Sequence, residues 1–445
     1  MKKMTLGVTA FAAASAIVLA GCSSSGSEGE ESAEPTSSAT TGTETSDATA
    51  QDITLWLMGT DTPDPLIEFL KTEYTEVNGG ALTVEQIGWG DAIASLTTAL
   101  PDSENTPDVT EVGNTQSATF TTVGAFMDIT DMYEELGGDS LLQGFVEAGA
   151  VGDKNYALPY YFGSRMAWYR KDLYEAGGVS VPTTLAEVTE VNASLKEQGV
   201  GGFYVPGQDW RDGISWIFAN GGEIATYDGS EWAGALATPE SIEGMEQWQE
   251  LFETASVAQV TDDDSTAYEA INDGFLSGTP AATTMAPNWA YWSLGDIAEN
   301  DEGEQVATWN DEKFGAFVLP GVDGGVAPVF AGGSNIGISA ATQNPEGSKD
   351  LMRIIFGDEY QTMLAENGLG PANLDYADTY TEVAAMGDIA LEAAESAKLT
   401  PAAPGWAAIE EAKIMEQYFA AVAEGGDVTA LATEYDAKLN ELING

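Results

Sequence analysis

Ile53-Thr54-Leu55-Trp56-Leu57-Met58, Leu82-Thr83-Val84-Glu85-Gln86-Ile87 and Asp108-Val109-Thr110-Glu111-Val112 are three apolar runs spaced across the first third of the chain. The first is β-branched and apolar and reads as a buried strand. A polar turn with Pro63 and Pro65 follows, and Leu66, Ile67 and Leu70 then recur at helical spacing up to Tyr74. The second run alternates as a strand, Asp91 to Leu100 reads as a short amphipathic helix stopped by Pro101, and the third run is again a strand. Strand, helix, strand, helix, strand predicts a parallel sheet with helices on both faces.

The alternation continues downstream. Met166-Ala167-Trp168-Tyr169, Ala281 to Met285, Phe314 to Pro320 and Asn335 to Ile338 read as strands. Leu185 to Gln198, Ile242 to Phe252 and Gly347 to Phe356 read as helices, and Trp406 to Leu442 as two helices broken at Gly425-Gly426. No repeat recurs at a solenoid or propeller period. A chain of 445 residues exceeds what one core usually fills, so α/β architecture in two lobes is expected.

The amino terminus carries an address. Lys2 and Lys3 precede the apolar run Met4 to Ala20, which meets Leu19-Ala20-Gly21-Cys22. This resembles a bacterial lipobox, which implies cleavage after residue 21 and a lipid on Cys22, the chain's single cysteine. No later apolar stretch is long enough to span a bilayer. Residues 22–51 are mostly Ser, Thr, Gly, Ala and acid without an aromatic, a composition expected to form a flexible tether reaching about 30 Å.

Composition removes several functions. There is no His, so Ser-His-Asp and Cys-His triads and His-based zinc or iron sites are excluded, and one Cys makes neither an internal disulfide nor a Cys-rich metal cluster. No metal and no cofactor is expected. With 72 acidic and 15 basic residues the net charge is −57, which opposes nucleic acid and anionic membrane surfaces. The acids read either as a solubilising exterior or as adaptation to a salty medium. No phosphate-binding G-x-x-x-x-G-K-[ST] or nucleophile elbow G-x-S-x-G is present, and Asp262-Asp263-Asp264 lacks the remaining parts of a calcium loop. Paired carboxylates for glycosidic cleavage are compatible with so acidic a chain, but the abundance makes no pair informative.

The aromatic residues are more telling. Trp89 lies beside Gly88 and Gly90, Tyr160 and Tyr161 follow Pro159, and Trp210 follows Pro206-Gly207. Trp289 follows Pro287-Asn288, and Trp406 follows Pro404-Gly405. Each alone reads equally as a structural residue, in core packing or as a helix-start staple, and as part of a site. Recurring after strand-like segments, where loops of an open α/β sheet line a crevice, they suit stacking on the C–H faces of sugar rings.

Further matches fall in one order along the chain. They are Pro107-Asp108-Val109, Glu111 to Gln116, Gly124 to Thr130, Tyr156 to Pro159, Trp168 to Gly178 and Val181 to Thr184. Pro287-Asn288-Trp289, Leu319-Pro320-Gly321, Gly332 to Asn335 and Gly368 to Pro371 complete the set. From about Ile53 onward the chain resembles the family 1 extracellular solute-binding proteins of ABC importers, the maltose-binding-protein-like type of Gram-positive lipoproteins. The resemblance implies a two-lobed periplasmic-binding-protein-like fold, each lobe a mainly parallel sheet flanked by helices. It implies a three-segment hinge near Phe162-Gly163, near Val326–Gly332 and near Gly370-Pro371. Lobe one would be 53–162 with 331–370, and lobe two 163–330 with 371–445. The implied function is non-enzymatic: capture of a neutral di- or oligosaccharide and delivery to the permease, by a monomer lipid-anchored on the outer face of the cytoplasmic membrane. Trp289 and Trp406 would be stacking platforms, with Trp210 or Asp209 facing them. Met58, Gly59, Trp89, Asp91, Asn114, Gln116, Tyr161, Ser334 and Asn335 would supply the other contacts. Leu57-Met58-Gly59-Thr60 departs from the acids and Lys of several maltose binders, and Glu111 to Gln116 with Thr400 to Trp406 looks closest to actinobacterial chitobiose or N-acetylglucosamine binders. The rival expectation is a lipid-anchored glycoside hydrolase using a carboxylate pair, and a surface adhesion protein is a third.

Overall fold

A computed structural model of the protein describes residues 50–263, 269–300 and 305–445. The leader of residues 1–21, Cys22, nearly all of the 22–51 tether and Asp264 of the acidic run lie outside the described residues. Gln51, read as the last tether residue, already belongs to the fold: its N–H donates to Asn78 Oδ1 at 2.8 Å and its carbonyl accepts from Tyr74 Oη at 2.7 Å.

Strand β1 (Ile53–Met58) pairs in parallel with β2 (Leu82–Ile87) and with β3 (Val109–Gly113). Ile53, Leu55 and Leu57 enter one core with Leu66, Leu70 and Tyr74, while Met58 enters a second with Leu96, Val112 and Phe120, so both faces are covered. That explains a continuous apolar run rather than an alternating one. The helix Asp64–Asn78 starts with Pro near its first turn and ends on Gly79, whose φ of 82° closes it in the left-handed region.

Short hairpins β4 (Ala150–Val151) with β5 (Lys154–Asn155), β8 (Ala225–Tyr227) with β9 (Trp232–Gly234), and β11 (Asp296–Glu299) with β12 (Gln305–Thr308) decorate the surface. The remaining strands are β6 (Ala157–Arg170), β7 (Phe203–Tyr204), β10 (Thr283–Pro287), β13 (Phe314–Phe317), β14 (Ala331–Ile338) and β15 (Gly370–Pro371). The main sheet runs β2-β1-β3-β14-β6-β10-β7, with β13 and β15 also on β6. Parallel pairs are β1–β2, β1–β3 and β10–β7; β14 is antiparallel to both β3 and β6, and β10, β13 and β15 are antiparallel to β6. The sheet is therefore mixed, because strands that pass between lobes meet without a crossover helix between them.

The fold is two-lobed, and β6 runs through both halves. Ala157–Ser164 pairs with β14, and Arg165–Arg170 with β10 and β13. One core holds residues from Ile53 to Tyr161 and from Ile336 to Leu364; another holds residues from Ala167 to Phe330 and from Ala393 to Ile443. The three segments expected to cross meet on β6: Gly163 opposes Gly332 of β14, and Phe162 opposes Gly370 of β15.

Candidate sugar-binding cleft

The cavity at this crossing has a volume of about 390 Å³ and is lined from both halves. Its lining includes Trp89, Asn114, Gln116 and Tyr161 from the first half, and Arg165, Arg211, Trp289 and Phe330 from the second.

Two indoles face it, and each is seated on glycine. Trp89 begins a 3₁₀ turn after β2, and its ring lies across the exits of β1 and β3. A Cβ at Gly59 would lie 2.6 Å from Trp89 Nε1, and one at Gly113 would lie 3.2 Å from Trp89 Cζ3. Trp289 sits in the 3₁₀ turn Asn288–Ser293 at the end of β10, over the crossing itself. There a Cβ on Gly163 would come within 1.6 Å of its Cζ3, and one on Gly332 within 3.3 Å of its Cη2. No side chain larger than hydrogen fits at Gly163 beside this ring.

Asp61 orients the first-half aromatics. Its Oδ2 accepts from Trp89 Nε1 at 2.8 Å and from Tyr161 Oη at 3.0 Å. Beneath Tyr161 lies Glu111, fully buried, whose Oε2 accepts the Met58 N–H at 2.8 Å. Burial pushes the Glu111 carboxyl up to about 7, against partial relief from Ser334, the Met58 N–H and Tyr161. Burial, then the charges of Glu111 and Asp61, hold the Tyr161 phenol well above its ordinary range. The cleft floor is thus an acid pair with different roles: Asp61 exposed and ring-orienting, Glu111 buried and proton-retaining.

On the second-half wall, Arg165 Nε donates to Asp212 Oδ1 at 3.0 Å, with its guanidinium 4.8 Å from the Phe330 ring centroid. Arg211 stacks over Trp210 at 4.7 Å. These are two of only four arginines in a chain of net charge −57, and both line this cavity. The halves also touch: Gln116 Nε2 donates to Glu410 Oε2 at 3.2 Å, and the Ala407 N–H reaches Thr119 Oγ1 at 3.4 Å.

Of the residues singled out from sequence, the cavity gathers Trp89, Asn114, Gln116, Tyr161 and Trp289, with Gly59 under Trp89. Asn114 Nδ2 donates to the Ala331 carbonyl at 3.1 Å, tying the third strand's exit to the crossing. The others take different places. Trp210 and Trp406 each start a helix and are buried, packed edge-to-face at 5.9 Å within the second core, so neither presents a ring face to the cavity. Asp209 is the buried N-cap of the helix Trp210–Ala219, accepting from the Asp212 N–H at 3.1 Å. Asp91 lines a separate open groove with Trp56, Ser95 and Asp102. Met58 is in the core and contributes its N–H to Glu111. Ser334 is buried beside Glu111, and Asn335 Nδ2 donates to the Phe145 carbonyl at 2.9 Å.

Sequence reasoning missed Asp61, Arg165, Arg211 and Phe330. A signal existed for two of them: arginines are so scarce in this chain that each marks a position with a specific partner. Among the described residues no group of three or more acidic or Cys side chains is placed to hold a metal ion, and no helix is long and apolar enough to cross a membrane.

Comparison with known proteins agrees with this architecture. The diacetylchitobiose binding protein DasA of Streptomyces coelicolor is 26% identical over 401 residues, covering 88% of this chain and 90% of that protein. The sugar-binding protein MalE of Xanthomonas citri superposes with a TM-score of 0.73 at 19% identity, covering 88% of this chain and 97% of the other. The GacH receptor of Streptomyces glaucescens, solved unliganded and with acarbose, gives 0.69 at 19% identity over 88% and 98% of the two chains. The family model described as bacterial extracellular solute-binding protein matches residues 59–362. The chain therefore belongs to the bacterial extracellular solute-binding proteins, a family that binds its ligand rather than transforming it.

Proposed function

We propose that this protein is the sugar receptor of an ABC importer, capturing a neutral di- or oligosaccharide between its lobes and handing it to the permease. The observation that carries this reading is the pair of indoles, Trp89 and Trp289, facing one cavity from opposite halves. Sugar C–H faces stack on such rings, while Asp61, Asn114, Gln116 and the two arginines take the hydroxyls. A volume of about 390 Å³ lies toward the small end of ligand sites, which run from about 300 to 1,000 Å³. Each cavity arginine already faces a carboxylate, Asp212 or Glu410, and this favours an uncharged ligand. Hinge closure follows if the ligand contacts both halves and so binds the closed form better.

The substrate class proposed is an N-acetylglucosamine disaccharide or a related oligosaccharide, the likeness to the diacetylchitobiose binder supporting it. Lipidation at Cys22 would hold the receptor at the outer face of the cytoplasmic membrane, with the acidic tether giving it reach. Calorimetric titration with diacetylchitobiose, cellobiose, maltose and xylobiose tests the reading. One of these or its longer homologues should bind stoichiometrically and be recovered intact. Cleavage of the sugar would establish the hydrolase alternative, and no binding across the panel would overturn the sugar reading.

A further inference from the structure

A second groove, of about 510 Å³, lies between the helix Gln143–Ala148 of the first half and the β8–β9 hairpin with residues 397–402 of the second. Its wall is an aromatic pair. Tyr227 and Trp232 stand opposite each other across the hairpin, ring centroids 5.4 Å apart and tilted by 37°, with Tyr227 55% exposed. The polar part of the same groove, its floor, is lined by Glu147, Thr400 and the ion pair in which Lys398 Nζ bonds Glu223 Oε1 at 2.5 Å.

The hairpin has only three residues in each strand, too little to be stable alone. It is held by the C-terminal segment instead. Asn444 Oδ1 accepts the Trp232 N–H, Asn440 Oδ1 the Gly234 N–H and Asp436 Oδ1 the Leu236 N–H, each at 2.8 Å. Asn444 Nδ2 also returns a bond to the Trp232 carbonyl at 3.0 Å. Asp436 and Asn440, four residues apart on the helix Val428–Leu442, are separated by about 6 Å of rise against about 6.8 Å for two strand residues. Asn444 follows in the turn beyond the helix, so the three side chains meet every second N–H from Trp232 to Leu236. They act as a surrogate neighbouring strand. Gly234 permits the approach, since a Cβ there would lie 2.6 Å from Asp436 Oδ1. The construction fixes Trp232 at both backbone groups and so presents the ring pair in a preset position, which lowers the ordering cost of binding.

We propose that this groove is a second saccharide site, separate from the cleft, in which a pyranose ring lies on Tyr227 and Trp232 while Glu223, Lys398 and Thr400 bond its hydroxyls. A ring face beside a neutralised ion pair and a hydroxyl is the recognition chemistry of an uncharged sugar, and the floor carries no unbalanced cation that would call for an anion. The site does not depend on the cleft reading.

The test uses the full chain and chito-, cello-, malto- and xylo-oligosaccharides of two to six rings, titrated by calorimetry and by NMR saturation transfer. Wild-type protein should show a second, weaker binding phase. Trp289→Ala, which strips the cleft, should keep that phase, and Tyr227→Ala should weaken it by about tenfold or more while leaving the tight phase unchanged. Asn444→Ala, which loosens the ladder without touching either ring, should weaken it too. Absence of a second phase up to saturating sugar, or its survival in both Tyr227→Ala and Asn444→Ala with the fold intact by circular dichroism, would overturn the proposal. A tight phase untouched by Trp289→Ala would count against the cleft alone. Binding of an unrelated peptide to the hairpin in place of sugar would also overturn it.

Discussion

Glu111→Gln separates the electrostatics of the cleft floor from its packing. The folded protein holds the Glu111 proton up to about 7, against an ordinary 4.5, because burial leaves the carboxylate without water. Between these two values the folded state keeps a proton that the unfolded chain has released, so this group's contribution to stability is full below about 4.5. It is lost as pH rises to about 7, and is flat above. Going from 4.5 to about 7 at about 1.4 kcal/mol per pH unit gives a loss on the order of 3 kcal/mol. Glutamine keeps an oxygen for the Met58 N–H and cannot ionise. Its amide adds an offset that does not change with pH, so the informative quantity is the slope. Urea unfolding of both proteins from pH 4.5 to 8 should show the stability of Glu111→Gln rising relative to wild type by about 3 kcal/mol, most of it below pH 7. The other acids titrate in both proteins and cancel. A difference that stays constant across this range would mean that water reaches Glu111, and the account of the floor would fail.

Three further outcomes are expected. Trp289→Ala or Trp89→Ala should weaken sugar binding by on the order of 2–4 kcal/mol while the melting temperature moves little, because both rings face the cavity rather than a core; unchanged affinity in both removes the site. Gly163→Ala puts a methyl where the Trp289 ring lies, so affinity should fall and tryptophan emission shift with Trp289 still present; wild-type affinity would show that the ring is not held there. Raising NaCl from about 0.1 to 2 M should raise the melting temperature by screening the repulsion of a −57 chain, and a flat response would leave solubility as the explanation of the acids.

The elements with strong periodicity were legible. The sequence marks the helix Leu185–Gln198 to the residue, and β1, β2 and β3 to within one. The 14-residue β6 was not, since Pro159 and Gly163 punctuate it and only its apolar end at 166–169 looked like a strand. Pro159 is tolerated because a bulge in the β6–β14 register falls beside it. The tryptophans divide for a local reason. Tyr160 and Tyr161 after Pro159 lie within β6, while the four tryptophans sit at the start of helical turns: Trp210 and Trp406 begin α-helices whose first turns pack into a core, whereas Trp89 and Trp289 lie in the first residues of 3₁₀ turns at strand exits. The same short signal therefore marks a staple in one context and a cavity wall in another, and only the glycines brought under the ring by distant strands tell them apart.

Those glycines would join the proposed ligand position to the proposed hinge. Gly59 and Gly113 end strands of the first half, so Trp89 travels with that half. Gly163 and Gly332 are partners on the ladder where β6 and β14 pass between halves, so Trp289 rests on the rung proposed as the pivot. Rotation about that rung changes the distance between the two ring faces. A saccharide in contact with one face gains the same stacking whether the halves are apart or together, and by linkage it shifts nothing. One spanning both faces gains its second contact only in the closed form, and that gain is the whole of its power to close the protein. Ligand length therefore decides closure: a sugar too short to reach from Trp89 to Trp289 should bind without compacting the protein in small-angle scattering, and one that reaches both should compact it.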